Sequence, residues 1–184
     1  MRIAIYAGHG GRDSGAVSGD LREKDFNLAI SMATTVILRR WGYMVHNNRI
    51  ADVPRIITQD AKQANVQQAA AVVEIHLNSN SGTPGTGCEA FVSLRNLPLA
   101  RSLAGAILGR IEALGFRNRG VKTHKNSRGK DSFGILRLTN MPTVLLECAF
   151  INNPADMAML NVDTMARAIA ESVREVFPII RDHE

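Results

Sequence analysis

Two rhythms of apolar residues alternate along this chain: short, nearly continuous runs, and stripes that repeat at three- and four-residue steps. The first run, Arg2–Ala7, reads as a buried strand, and the glycine-rich residues 9–19 behind it read as loop throughout. From Glu23 the rhythm changes. Phe26, Ile30, Ala33 and Ile37, with Ala29 and Val36 beside them, lay one stripe along a helix to about Arg40, which Gly42 ends. Residues 43–47 suit a short strand, and Pro54, in a first-turn position, opens a polar helix to about Gln68. Residues 72–76 form the next apolar run, residues 78–87 a Gly- and Ser-rich loop, and residues 88–93 another strand. Leu99, Leu103, Ile107, Ile111 and Leu114 mark the apolar face of a further helix, with Asn96 and Pro98 at its start and Gly115 just past its end. Residues 117–132 are polar, basic and without periodicity. Residues 133–136 and 143–147 read as the last two strands, Asn153-Pro154 as the cap of a short helix, and residues 163–177 as a final helix closed by Pro178.

This alternation predicts an α/β fold: a mixed, mostly parallel twisted sheet of about six strands flanked by helices on both faces, with ligands bound near the strands' carboxyl ends. No long Pro/Ser/Gly linker, acidic tail, low-complexity tract or internal repeat suggests a boundary. At 184 residues with 45% hydrophobic content, the chain can bury one core. The expected organisation is a single domain over residues 1–180, with 181–184 as a short tail.

Glu147 interrupts the run Val144-Leu145-Leu146-Glu147-Cys148-Ala149-Phe150-Ile151, where a strand would otherwise bury everything. A carboxylate there is costly unless it is paired or ligated. Three other segments put acid or imidazole groups where strands end or helices begin: Gly8-His9-Gly10-Gly11, Arg22-Glu23-Lys24-Asp25 and Ile75-His76-Leu77-Asn78. Taken singly, each has an ordinary explanation. His9 would be a polar turn residue, Glu23 a carboxylate facing the positive end of a helix dipole, and His76 a core histidine with a satisfied hydrogen bond. Together they fall near the expected ligand-binding edge, and two imidazoles with one carboxylate form a catalytic zinc set that leaves a position for water. Glu147 then supplies a base that takes a proton during attack and returns it to a departing amine. Glu74 projects from the same strand face as His76, so it either orients His76 from behind or is itself the ligand. The chemistry expected is amide hydrolysis with one Zn²⁺ per chain.

These motifs, in this order, resemble the zinc-dependent N-acetylmuramoyl-L-alanine amidases of the type-3 amidase family. The resemblance runs nearly end to end: Gly8-His9-Gly10-Gly11 with Asp13 and Gly15-Ala16, then Glu23-Lys24-Asp25 with Asn27-Leu28-Ala29-Ile30. It continues through Ala64-Asn65, His76-Leu77-Asn78, Gly87-Cys88-Glu89, Arg119-Gly120-Val121-Lys122 and residues 142–147, and closes with Phe150-Ile151-Asn152-Asn153 and Asp156. It implies that His9, Glu23 and His76 bind zinc and that Glu147 is the catalytic carboxylate. The implied substrate is the amide joining the lactyl group of N-acetylmuramic acid to L-alanine in bacterial peptidoglycan, with Asn78 and Arg137 as candidate substrate contacts. Two departures stand out. The family often has an acidic residue just before its first Gly-His, where this chain has Tyr6-Ala7, and commonly a small hydroxyl residue where Glu74 stands. The extra carboxylate is expected to alter metal affinity or metal choice without changing the reaction class.

Charge adds a competing function. From Arg95 to Arg137 there are ten Lys/Arg against two Asp/Glu, a net of +8 that leaves −3 for the rest of a chain of net charge +5. Such a face is either solvated surface or a contact for an anionic polymer, and residues 117–130 are the candidate segment. Aromatics for base stacking are sparse, with only Phe116 and Phe133 flanking it, so no nucleic-acid partner is expected. A non-catalytic module binding anionic wall polymer, or a zinc carboxypeptidase using Arg137 as a carboxylate clamp, are the alternatives to amide cleavage inside the wall. Cys88 and Cys148 make neither a disulfide framework nor C-x-x-C spacing and are expected as reduced, partly buried thiols. No run approaches the ~20 apolar residues of a membrane-spanning helix, and no secretory signal is visible. A monomer acting at the bacterial cell wall is expected, released as phage endolysins are or excised from a larger lysin.

Overall fold

Ile3 and Ile5 of the first strand, β1 (Arg2–Ala7), turn to one face of a sheet, and Ala4 and Tyr6 turn to the other, all of them fully buried. Burial on both sides is why this strand carries a continuous apolar run rather than an alternating one. In the computed structural model, which describes residues 1–179, the chain continues through β2 (Val17–Ser18), β3 (Leu21–Arg22), α1 (Glu23–Arg40), β4 (Met44–His46) and α2 (Ile57–Val66). It then forms β5 (Ala71–Asn78), β6 (Cys88–Val92), α3 (Pro98–Ala113), β7 (Asn118–Lys122), α4 (Gly134–Leu138), β8 (Thr143–Phe150), α5 (Pro154–Met159) and α6 (Val162–Val176). The expected 181–184 tail, and residue 180 before it, lie outside the described residues.

The strands join in the order β4-β1-β5-β8-β6-β7, and every neighbouring pair is parallel except β6 against β8. The predicted mixed, mostly parallel six-stranded sheet with helices on both faces is therefore the fold observed. On one face α1, α3 and α6 cover Ile3, Ile5, Val73, Ile75, Val144 and Leu146, forming the larger core. On the other face Ala61 and Ala64 of α2, with Ile135 and Leu136 of α4, close over Ala4, Tyr6, Val72 and Leu145. Among the described residues, no helix is long and apolar enough to cross a membrane. Cys88 and Cys148 are free thiols and fully buried rather than partly so.

Several predicted elements need correction, each for a local reason. Residues 134–136 are the start of helix α4, with Phe133 as the extended residue before it, and not a strand; so short an apolar run suits either period, and packing of Ile135 and Leu136 against the second core decides. The sixth strand is instead β7, inside the segment that reads as structureless. Its residues are all half-buried, and it is held at the sheet edge by partners that the basic sequence does not reveal. The loop of residues 9–19 contains β2, which pairs with β3 in a small hairpin turning at Gly19, where φ is 57°. Pro54 does not open α2; it packs on Gly11, and the helix begins three residues later at Ile57. Leu99 of α3 and Leu114 just past its end are exposed, and the buried stripe runs through Ala100, Leu103, Ala104, Ile107, Leu108 and Ile111. Asn96 lies outside that helix in the left-handed region, its Oδ1 accepting from Arg101 Nε.

Candidate metal-binding active site

Three central strands end side by side. His9 follows the end of β1, His76 lies near the end of β5, and Glu147 of β8 is the direct register partner of His76. Glu23 is the first residue of α1, where its carboxylate is brought back under the strand ends. Glycines make this approach possible. A Cβ on Gly8 would stand 2.2 Å from the His76 ring, and one on Gly15 would stand 2.5 Å from Glu23 Oε2. His9 itself takes a left-handed backbone with φ 57°, which turns its ring inward.

Within this enclosure the nitrogen and oxygen atoms of His9, Glu23 and His76 that could hold a metal ion all lie within 4.8 Å of one another. Glu23 Oε1 is 2.8 Å from His76 Nδ1, Glu23 Oε2 is 3.3 Å from His9 Nε2, and the two rings meet edge to face at 5.0 Å. The backbone N–H groups of Leu77 and Ala16, and the side-chain amide of Asn27, also donate to the Glu23 carboxylate. Although burial works against ionisation, the hydrogen bonds from His76 and His9 hold the Glu23 carboxyl far below the usual range. Burial alone would lower the His76 pKa, but its contacts with Glu23 and Glu74 raise it to about 10. These groups are charged and crowded, a state in which a divalent cation could replace the imidazole protons.

Each imidazole is also held from behind. His9 Nδ1 lies 2.8 Å from Asp13 Oδ2, so a carboxylate backs this ring although none stands just ahead of Gly8-His9. His76 Nε2 faces Glu74 Oε2 at 3.6 Å while Nδ1 faces Glu23, which separates Glu74 from the three-residue cluster.

Beside the cluster, Glu147 keeps part of its side chain open to the cleft while its Oε2 is buried without a hydrogen-bond partner. Burial raises its pKa to about 7; His76 opposes the rise, and the negative charges of Glu23, Glu89 and Glu74 add to it. A carboxyl poised near neutrality can both accept and return a proton. Glu89 lies opposite Glu147 in the β6–β8 pairing and accepts from Asn78 Nδ2, Arg119 and Lys122. Asn78 thus lines the cleft with its amide already engaged.

The cleft has a volume of about 480 Å³ and is walled on the α2–α4 side by Ile57, Phe133, Ile135 and Leu145. Arg55 also lines it, and sequence reasoning missed this residue: its side chain is buried and binds Glu74 at 2.5 Å and Asp60 at 2.9 Å. The signal was Glu74 itself, since an acid inside Val72-Val73-Glu74-Ile75 needs a cation nearby. Arg137 is not brought to the cleft. Its guanidinium donates to the carbonyls of Asp131 and Ser132 and borders a separate depression with Arg128 and Lys130. Within the basic segment, Arg119 and Lys122 are drawn inward to Glu89, whereas Lys125, Arg128 and Lys130 are exposed.

A sequence profile described as N-acetylmuramoyl-L-alanine amidase matches residues 3–176. The chain is similar to the endolysin of Bacillus phage SPP1, 32% identical over an alignment of 180 residues that covers 94% of this chain and 63% of the phage protein. It is 30% identical over 175 residues to the N-acetylmuramoyl-L-alanine amidase LytC of Bacillus subtilis, covering 94% of this chain and 34% of LytC. Among solved structures, Cwp6 from Clostridium difficile superposes with a TM-score of 0.90 at 34% identity, over 96% of this chain and 29% of Cwp6. The chain thus spans less than two thirds of the phage endolysin and about a third of LytC. With the match covering both sheet faces and every element that carries the cluster, this chain belongs to the N-acetylmuramoyl-L-alanine amidase family.

Proposed function

We propose that this chain hydrolyses the amide bond between N-acetylmuramic acid and the L-alanine of the peptidoglycan stem peptide at the bacterial cell wall. The observation that carries the reading is the convergence of His9, Glu23 and His76, with ligand atoms within 4.8 Å of one another, beside a carboxyl shifted toward neutrality. Two imidazoles and one carboxylate, the imidazoles each backed by a carboxylate on the other nitrogen, are a donor set suited to zinc. His9, Glu23 and His76 would hold the ion. Zinc, when bound, lowers the pKa of water and polarises a carbonyl.

The remaining work falls to the chain's own groups. Hydrolysis needs one group that accepts a proton from the attacking water and delivers it to the departing amine nitrogen. Glu147 has an unpartnered oxygen for that proton and a pKa of about 7 that allows both directions. The apolar wall of Ile57, Phe133 and Ile135 keeps bulk water from one side of the cleft and offers a surface for the methyl groups that flank the scissile amide. Exposed Lys125, Arg128 and Lys130 are a proposed contact for anionic wall polymer; replacing all three with Gln is expected to weaken wall retention at low salt while leaving turnover of a soluble muropeptide unchanged.

Purified peptidoglycan incubated with the zinc-loaded chain is expected to release new L-alanine amino termini and no new reducing sugar ends, and a chelator is expected to stop the release. Wall binding without any release would replace the enzyme reading with that of a binding module.

A further inference from the structure

A continuous chain of buried and partly buried polar groups joins the strand ends that carry the two histidines. It begins at Ala7, two residues before His9, whose backbone N–H donates to Asn48 Oδ1 at 3.0 Å and whose carbonyl accepts from Asn48 Nδ2 at 3.1 Å. Asn48 Nδ2 also reaches Asp60 Oδ2 at 3.1 Å, and Tyr6 Oη donates to the Asp60 carbonyl. Arg55 then grips Asp60 Oδ2 through both Nε and Nη2 at 2.9 Å, and its Nη2 lies 2.5 Å from Glu74 Oε1. The other oxygen of Glu74 faces His76 Nε2, leaving Nδ1 turned toward Glu23. Glu74 is 2% exposed and Asp60 is 7% exposed, so water supports neither charge; Arg55 serves both, with His76 beside Glu74 and Asn48 beside Asp60.

We infer that Arg55 and Glu74 are positioning residues: their buried ion pair fixes the His76 ring so that Nδ1 points into the His9–Glu23–His76 cluster, and the Asn48–Asp60 link ties the β1 end to the same brace. This rests on the metal-centre reading above. It assigns Glu74 the role of a backing group and gives Arg55 a structural task although it lines the cleft. Nε and Nη2 of Arg55 are turned to the two carboxylates and away from substrate; a grip on substrate through Nη1 would show as a raised KM.

The test is zinc affinity by competition with a chromogenic chelator, measured on the whole chain alongside KM for soluble muropeptide at saturating zinc. Wild type is compared with His76→Ala, with Glu74→Gln, which keeps shape and removes charge, and with Arg55→Met/Glu74→Leu, which removes both charges of the pair together while Asp60 keeps its hydrogen bond from Asn48. Zinc affinity is expected to fall about 10- to 100-fold in the last two variants, with KM unchanged. Unchanged zinc affinity in Glu74→Gln, or a raised KM with normal zinc affinity in the double variant, would overturn the inference. Equal zinc binding by wild type and His76→Ala would instead overturn the metal centre itself, and with it the brace built on it.

Discussion

At the residue scale the site depends on placing groups where their ordinary chemistry is unfavourable. Glu147 is a carboxyl held in a partly desolvated row, so Glu147→Gln is expected to lower the rate constant for cleavage by at least about 10²–10⁴-fold while zinc still binds, read by amino-terminus release beside chelator competition. Its raised pKa also has a stability consequence in the metal-free chain. A folded-state pKa of about 7 lies above the usual carboxyl value of 4.5, so the stability gained from the protonated form is complete below about pH 4.5 and lost as pH rises through 7. Glu147→Gln is expected to remove that loss, making the metal-free variant more stable than wild type at pH 8 by on the order of 1–3 kcal/mol in urea unfolding. Gly8 is the complementary case, an absence that matters. Gly8→Ala would drive a methyl group into the His76 ring and is expected to weaken zinc binding more than it weakens the fold, which chelator competition and thermal unfolding together separate.

At the element scale, the parts visible in the sequence are those whose burial is periodic and long. Strand β1 and helices α1 and α6 carry enough repeats to fix their period, and Asn153 caps α5 as its side chain suggests, accepting from Ala155 and Asp156 N–H groups. What the sequence hides is structure decided by a distant partner. Strand β7 exists because Arg119 and Lys122 reach Glu89 and because Gly87 lets the chain approach; a Cβ there would stand 2.0 Å from the Arg117 carbonyl, at φ 95°. Helix α4 exists because Ile135 and Leu136 find a second core. Likewise His9, Glu23, His76 and Glu147 stand out as unsuitable residues at element ends, whereas Arg55, following Pro54 in a polar stretch, resembles any surface arginine until Glu74 is placed beside it. Gly87→Ala is expected to cost about 1–3 kcal/mol and to loosen the β6–β7 edge, measured as faster hydrogen exchange of the Cys88 amide, which donates to the Arg117 carbonyl.

At the scale of the whole molecule, His9, Glu23 and His76 join the first strand, the first helix and the centre of the sheet, so an ion held by them is expected to stabilise the entire fold. Zinc at about a hundred times its Kd stabilises the folded state by about 2.7 kcal/mol, which corresponds to roughly 5–10 °C in Tm for a chain of this length. Scanning calorimetry with zinc and with chelator is expected to show that difference in wild type and to lose it in His9→Ala.

The pairing of His76 with Glu147 across β5 and β8 carries one more consequence. The separation between Glu147 and the cluster is set by backbone register and not by a hinge or a mobile loop, and a slip of one residue would send Glu147 to the opposite face of the sheet. The spacing is thus a digital quantity: it is kept or lost, with no graded intermediate. As temperature rises, the geometry of the site is expected to fail together with the slowest-exchanging amides at the centre of the sheet, while the strands at either edge remain free to vary in length and charge.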